Sequence, residues 1–192
     1  MNEIICNRIE ALRDVMRREG IDAFIFQSTD PHNGEYVPAH WEGRKWISGF
    51  NGSAGTAVVT MTDAALWTDS RYFIAAEEQL RGTGFRLMKE RVEGTPSITR
   101  WLGMKLATVQ SPTVGVDGTV NSASSVASLI TELRAEGGIT VRTNFDPLAL
   151  IWTDRPPVPQ DKVSIHPLEY AGEPCHEKMA RIRQQLKSMH AY

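Results

Sequence analysis

Several side chains in this sequence have the types and spacing to do chemistry. Asp30, Asp69 and Asp117 each follow an apolar run, and carboxylates gathered at strand ends can hold Mg²⁺, as in metal-dependent nucleases. The competing reading is local, because an aspartate after a strand commonly serves as a turn residue or helix cap. Arg71 lies in Trp67-Thr68-Asp69-Ser70-Arg71-Tyr72-Phe73, in the first turn of an expected helix. A cation there opposes the helix dipole by about 0.3–1 kcal/mol, so some other group must hold it. That group is either Asp69, in a surface pair of small value, or a carboxylate or peptide carbonyl presented to the guanidinium fork.

Other groups have weaker signals. His32, Glu35 and Tyr36 form a polar-aromatic loop that fits a subunit contact or substrate rim, or simply an exposed Asp-Pro turn. Trp41, Trp46 and Phe50 fit an interface patch, although aromatics at this density more often pack a short helix. Gly49, Gly52 and Gly55 invite a phosphate-loop reading, but no lysine follows and the loop precedes a strand. Positive φ and close backbone approach explain such glycines better. Cys175 lies at an expected helix start, where a thiolate gains some stabilisation, yet no catalytic partner accompanies it. The histidines, at 32, 40, 166, 176 and 190, show no metal-ligand spacing.

The elements that position these groups follow from periodicity. Ile5, Ile9, Leu12 and Met16 recur at helical spacing, and Gly20 supplies a stop. Ala23 to Gln27 reads as a strand covered on both faces. Ala57-Val58-Val59 and Ala65-Leu66-Trp67 read as a hairpin around Thr62-Asp63. Asp69 or Ser70 caps a helix with Phe73, Ala76 and Leu80 inward, and Phe85 to Met88 is the next strand. Thr95-Pro96 predicts a capped helix carrying Ile98, Trp101, Leu102 and Leu106. Thr113 to Val116 is a strand, and Val126, Leu129, Ile130 and Leu133 line a helix ended by Gly137-Gly138. Ile139 to Arg142 is the last strand, and Asp146-Pro147 opens a short helix. The alternation predicts an α/β fold, a mixed sheet of about six strands flanked by helices.

The chain has 192 residues, 41% hydrophobic and 23% charged, enough for a sizeable core. A formal charge of −2 provides no broad basic field for nucleic acid or anionic lipid. No apolar run reaches bilayer length, and Met1-Asn2-Glu3 lacks the start of a secretory signal. Cys6 and Cys175 form no disulfide framework, which fits a reducing, cytoplasmic setting. In that setting the Asn51-Gly52-Ser53 sequon is a chance match.

After Trp152 the character changes. Thr153-Asp154-Arg155-Pro156-Pro157-Val158-Pro159 cannot sustain a helix or a central strand, so a domain is expected over 1–152 and a linker over 153–173. Residues 174–192 are expected to form a helix that repeats the first one. Lys178 to Lys187 matches Arg8 to Arg17 in register, with apolar residues at the same three places. Any two amphipathic helices share some of this pattern.

These motifs together resemble the Xaa-Pro aminopeptidases, in their amino-terminal creatinase-like domain. The likeness rests on Asp30-Pro31-His32 with Glu35-Tyr36, Arg44-Lys45-Trp46-Ile47-Ser48-Gly49-Phe50 and Gly52-Ser53-Ala54-Gly55-Thr56. It extends through Trp67-Thr68-Asp69-Ser70-Arg71-Tyr72-Phe73, Gly115-Val116-Asp117 and Ile151-Trp152-Thr153-Asp154-Arg155-Pro156, and covers roughly residues 4–172. The resemblance is closest to the three-domain members and implies a ribonuclease H-like topology for the first domain. It implies a second, similarly folded domain beginning at the tail helix, and a catalytic domain after it. The family's two divalent metal ions, expected to be manganese, would belong to that later domain, so this chain alone is expected to be inactive and to hold no cofactor. Arg71 matches an arginine that reaches the substrate, a peptide with proline second. The expected partners are the remainder of the chain and a second copy in a homodimer. The alternative is a stand-alone peptide- or protein-binding module of the same fold without catalysis.

Overall fold

The computed structural model describes residues 2–191; Met1 and Tyr192, the outer ends of the expected first and last segments, lie outside the described residues. The chain divides into two compact units, Met1–Val158 and Pro159–Tyr192.

The first unit opens with helix α1 (Asn2–Glu19), whose Ile5, Ile9, Leu12 and Met16 are all buried, as their spacing predicts. Strand β1 (Ala23–Phe26) follows, then helix α2 (Gly43–Ser48). Strands β2 (Thr56–Thr60) and β3 (Ala64–Thr68) form the expected hairpin, and helix α3 (Phe73–Gln79) leads to β4 (Phe85–Lys89). Helix α4 (Ile98–Lys105), β5 (Thr113–Val116), α5 (Ala123–Ala135), β6 (Thr140–Arg142) and α6 (Leu148–Ile151) complete the unit.

The six strands form one sheet in the order β4-β3-β2-β1-β5-β6. Pairing is antiparallel for β1–β2 and β2–β3 and parallel for β3–β4, β1–β5 and β5–β6, so β2 alone runs against the other five. The α/β fold with a mixed six-stranded sheet is therefore as the sequence predicts.

Alternation along the strands makes two cores. Phe24 and Phe26 of β1 pack with α1, Ile47, Ala76 and Leu148, while Ala23 and Ile25 pack with Trp101, Leu102 and Leu133 of α4 and α5. Burying a large side chain such as Leu12 stabilises by about 1.5–3 kcal/mol, and both faces of β1 gain in this way. That is why the sequence of β1 is apolar throughout rather than alternating.

Two local expectations are corrected. The cap of α4 is Ser97, whose hydroxyl accepts from Arg100 N at 3.2 Å, not Thr95. Asp69 caps a single 3₁₀ turn, Ser70–Tyr72, and α3 begins only at Phe73. The first compact unit ends at Val158, and its last residues are tied to the rest of it. Arg155 donates to His40 O at 2.8 Å and pairs with Asp146 at 2.5 Å, and the His40 ring meets Pro156 O at 2.6 Å.

In the second unit, residues up to Pro167 have no regular structure, and Val163 and Ile165 are fully exposed. Helices α7 (Leu168–Ala171) and α8 (Cys175–Ser188) follow, tied by an Arg181–Glu173 ion pair and by Lys178 donating to Ala171 O at 3.2 Å. The register match between α1 and α8 extends to how they end. After α1, Gly20 takes φ 66° and Ile21 N donates to Met16 O at 2.9 Å. After α8, His190 takes φ 55° and Ala191 N donates to Leu186 O at 3.0 Å. Both are Schellman-type ends, at equivalent positions of the two helices. Met179, Ile182, Leu186 and Met189 remain exposed.

Candidate functional site

Arg71 stands where β3 hands over to α3. Asp69, just past the strand, accepts Arg71 N at 3.0 Å and so shapes the 3₁₀ turn. The same carboxylate grips the Arg71 side chain, Nε to Oδ1 at 2.9 Å and Nη2 to Oδ2 at 2.8 Å. These bonds hold the Asp69 carboxyl below its usual range, and Asp69 in turn raises the guanidinium. The surface pair considered from the sequence thus exists. It does not use the whole fork: Nη1 has no hydrogen-bond partner among the described residues, and the side chain is 67% exposed. Asp69 fixes the guanidinium from one side while the other side remains able to donate to a carbonyl or carboxylate oxygen.

The turn rests on a packed floor. The Arg71 guanidinium lies 5.3 Å over the Tyr72 ring, and Tyr72 stacks edge-on against Phe50 at 5.9 Å. Tyr72 OH and Ser53 Oγ share a hydrogen bond of 2.6 Å, which ties the glycine loop to the turn. Gly52 is demanded here, since a Cβ would meet the Phe50 ring at 2.3 Å and Tyr72 at 2.8 Å. Gly49 caps α2 in the left-handed region at φ 75°. The loop glycines therefore serve packing and backbone turns. Asn51, the sequon asparagine, exchanges two hydrogen bonds with Gln79, at 3.0 and 2.8 Å.

Arg44 is the functional-looking residue that sequence reasoning did not single out. It is buried, donates Nη1 to Phe50 O at 3.0 Å and Nη2 to Gly52 O, and lies over the Phe50 ring. Its Nε is buried without a partner among the described residues. Burial brings its pKa down to about 10. An arginine in a short helix ahead of a glycine loop was the available signal, because a fork is what can bind two loop carbonyls at once. Beside it, a cavity of about 170 Å³ is lined by Tyr36, Trp41, Arg44 and Ser53.

The other candidates do not converge. Asp30 is buried and accepts from His32 N at 2.7 Å and Gly34 N at 3.2 Å, while Asp117 accepts from Thr119 N and Oγ1 at 2.9 and 2.7 Å. All three strand-end aspartates act as turn and cap residues. His32, Glu35 and Tyr36 are exposed. Of the aromatics, Phe50 is core; Trp46 is half-buried, stacked on Trp152 at 5.3 Å with Arg8 4.3 Å above it. Cys6 and Cys175 are free and exposed. Among the described residues no three metal-ligating side chains come together, so a di-nuclear metal centre does not fit on them. No helix among them is long and apolar enough to cross a membrane.

The chain belongs to the Creatinase/Prolidase N-terminal domain family, which residues 8–148 match. A probable Xaa-Pro aminopeptidase P from Talaromyces marneffei is 42% identical over 94% of this chain, and one from Penicillium rubens is 37% identical over the same share. The chain spans only 27% and 29% of their lengths. An X-prolyl aminopeptidase from Caenorhabditis elegans, described as a cytosolic enzyme with a di-nuclear active site, matches with a TM-score of 0.78 at 28% identity, over 97% of this chain and 31% of that one. An Xaa-Pro aminopeptidase from Streptococcus pyogenes shares the fold, with a TM-score of 0.54 at 21% identity over 74% of this chain and 95% of that one.

Proposed function

We propose that this chain is the amino-terminal, non-catalytic part of a metal-dependent Xaa-Pro aminopeptidase. What supports the reading is similarity along 94% of the chain to enzymes of which it covers 27%. The reaction removes a first residue that precedes proline. That amide is tertiary, lacks an N–H and is conformationally restricted, which calls for a dedicated site. The two divalent ions, manganese in our reading, would activate water and polarise the carbonyl on polypeptide beyond this chain. Arg71 would bind substrate at the cleft's edge with the donors that Asp69 leaves free. The domain would also limit substrate length and contribute to a homodimer, in the cytoplasm. The match of α1 and α8, from apolar register to terminal hydrogen bond, supports residues 174–192 as the opening of a second domain of the same fold.

Turnover tests this division of labour. A longer protein carrying this chain and the catalytic domain should, with Mn²⁺, release the first residue of an Xaa-Pro peptide, and residues 1–192 should not. Release by residues 1–192 alone would overturn it.

A further inference from the structure

On the face carrying α4 and α5, a groove of about 710 Å³ opens at the carboxyl ends of β1, β3 and β4. That is where open α/β sheets receive ligands. Trp67, Ile98 and Leu129 give it apolar walls, and Glu90, Arg91 and Glu132 supply its charges. Several hydroxyls join them, including Ser97 and Ser128. The mixture suits an extended peptide, which presents amide groups along its length and alternates its side chains between faces.

The Glu90–Arg91 end of the groove adjoins the strand end that leads into the Arg71 turn. Glu90 N donates to Thr68 O at 3.0 Å, binding the end of β4 to the residue before Asp69. Arg91, turned at φ 61°, lines the groove and sits close enough to Asp69 to help Arg71 lower its carboxyl. Farther along, Glu132 Oε2 accepts from the buried Thr99 hydroxyl at 3.1 Å, which orients the carboxylate. Two carboxylates against one guanidinium leave the groove net negative.

We propose that this groove receives the part of a peptide substrate lying beyond its proline, and that Glu90 and Glu132 favour a lysine or arginine side chain there. The inference rests on the peptidase reading above, and it adds a length and charge preference set by this chain.

Peptide titration of the 192-residue chain tests it, following the Trp67 indole N–H, which donates to Pro96 O at 2.9 Å in the groove wall. The probes are Gly-Pro-Ala-amide, Gly-Pro-Ala-Ala-Lys-Ala-amide and the same hexapeptide with glutamate for lysine. The lysine hexapeptide should shift the indole resonance saturably and bind about two- to fivefold tighter than its glutamate counterpart, the range one exposed ion pair gives. The tripeptide should leave the resonance unmoved. Glu132→Gln should erase the preference for lysine, and Leu129→Arg, at a half-buried surface position, should abolish the response to hexapeptides. An unmoved Trp67 indole, or equal binding of both hexapeptides, overturns the inference. If the lysine hexapeptide perturbs the Arg71 Nε resonance and not Trp67, the groove inference falls while the peptidase reading stands. Failure of the longer protein to release an Xaa-Pro residue strikes the peptidase reading instead.

Discussion

Arg71 and Arg44 lie on either side of one glycine loop in opposite surroundings. Arg71 is exposed and paired with a carboxylate, whereas Arg44 is buried and bonded to backbone carbonyls. Arg71→Ala should leave the unfolding midpoint of this chain unchanged, because exposed pairs contribute little. It should also let the Asp69 carboxyl rise towards its ordinary range, near 3.9, which a carboxyl-carbon NMR titration reads. In the longer enzyme the same change should lower kcat/KM for an Xaa-Pro peptide about tenfold, the effect of one charge-assisted hydrogen bond; unchanged kinetics would leave Arg71 a surface residue. Arg44→Met should cost about 2 kcal/mol in urea unfolding, by stranding the carbonyls of Phe50 and Gly52. Arg44→Lys should not restore that loss, since an ammonium cannot bridge both oxygens as the planar fork does. The Asp69–Arg71 pair was legible because its two residues lie within one short motif. The buried arginine was not: its partners lie six and eight residues on, and only the folded loop points their carbonyls inward.

At the scale of elements, periodicity carried most of the fold. The α1 stripe, the all-apolar β1 and the Gly137-Gly138 stop are each visible in sequence, because burial and positive φ restrict residue choice strongly. Caps were harder. Thr95, Ser97 and Thr99 all offer a hydroxyl near the start of α4, and only the backbone geometry selects Ser97. Ser97→Ala should therefore destabilise by about 1 kcal/mol, measured by thermal or urea unfolding, and Thr95→Ala should cost less. The β2–β3 hairpin is pinned to α4 by Lys105 Nζ on Asp63 at 2.6 Å, and that bond leads the causes lowering the Asp63 carboxyl. A carboxyl lowered by folding stabilises above its unfolded pKa, near 3.9, and loses that contribution as pH falls through the folded value. Lys105→Met should accordingly flatten the acid limb of the stability–pH curve and raise the Asp63 titration point.

For the whole molecule, the exposed segment ahead of α7 contrasts with the sheet unit's tied-down end at Arg155 and Pro156. Limited trypsin digestion should cut first at Lys162, the basic residue in the exposed stretch without regular structure, rather than at the many sites within the sheet unit. First cleavage inside residues 8–148 would contradict this order.

The sheet's strand order also bears on how the polypeptide matures on the ribosome. β1 gains a neighbour on one side early, from the hairpin strand β2, but its other neighbour is β5, where Ala23 pairs with Val114. Until that segment emerges, the nascent chain carries Ala23-Phe24-Ile25-Phe26 with one row of backbone donors and acceptors open. Such an edge, greasy on both faces, is a template for adhesion between neighbouring nascent chains and a natural client for a ribosome-associated chaperone.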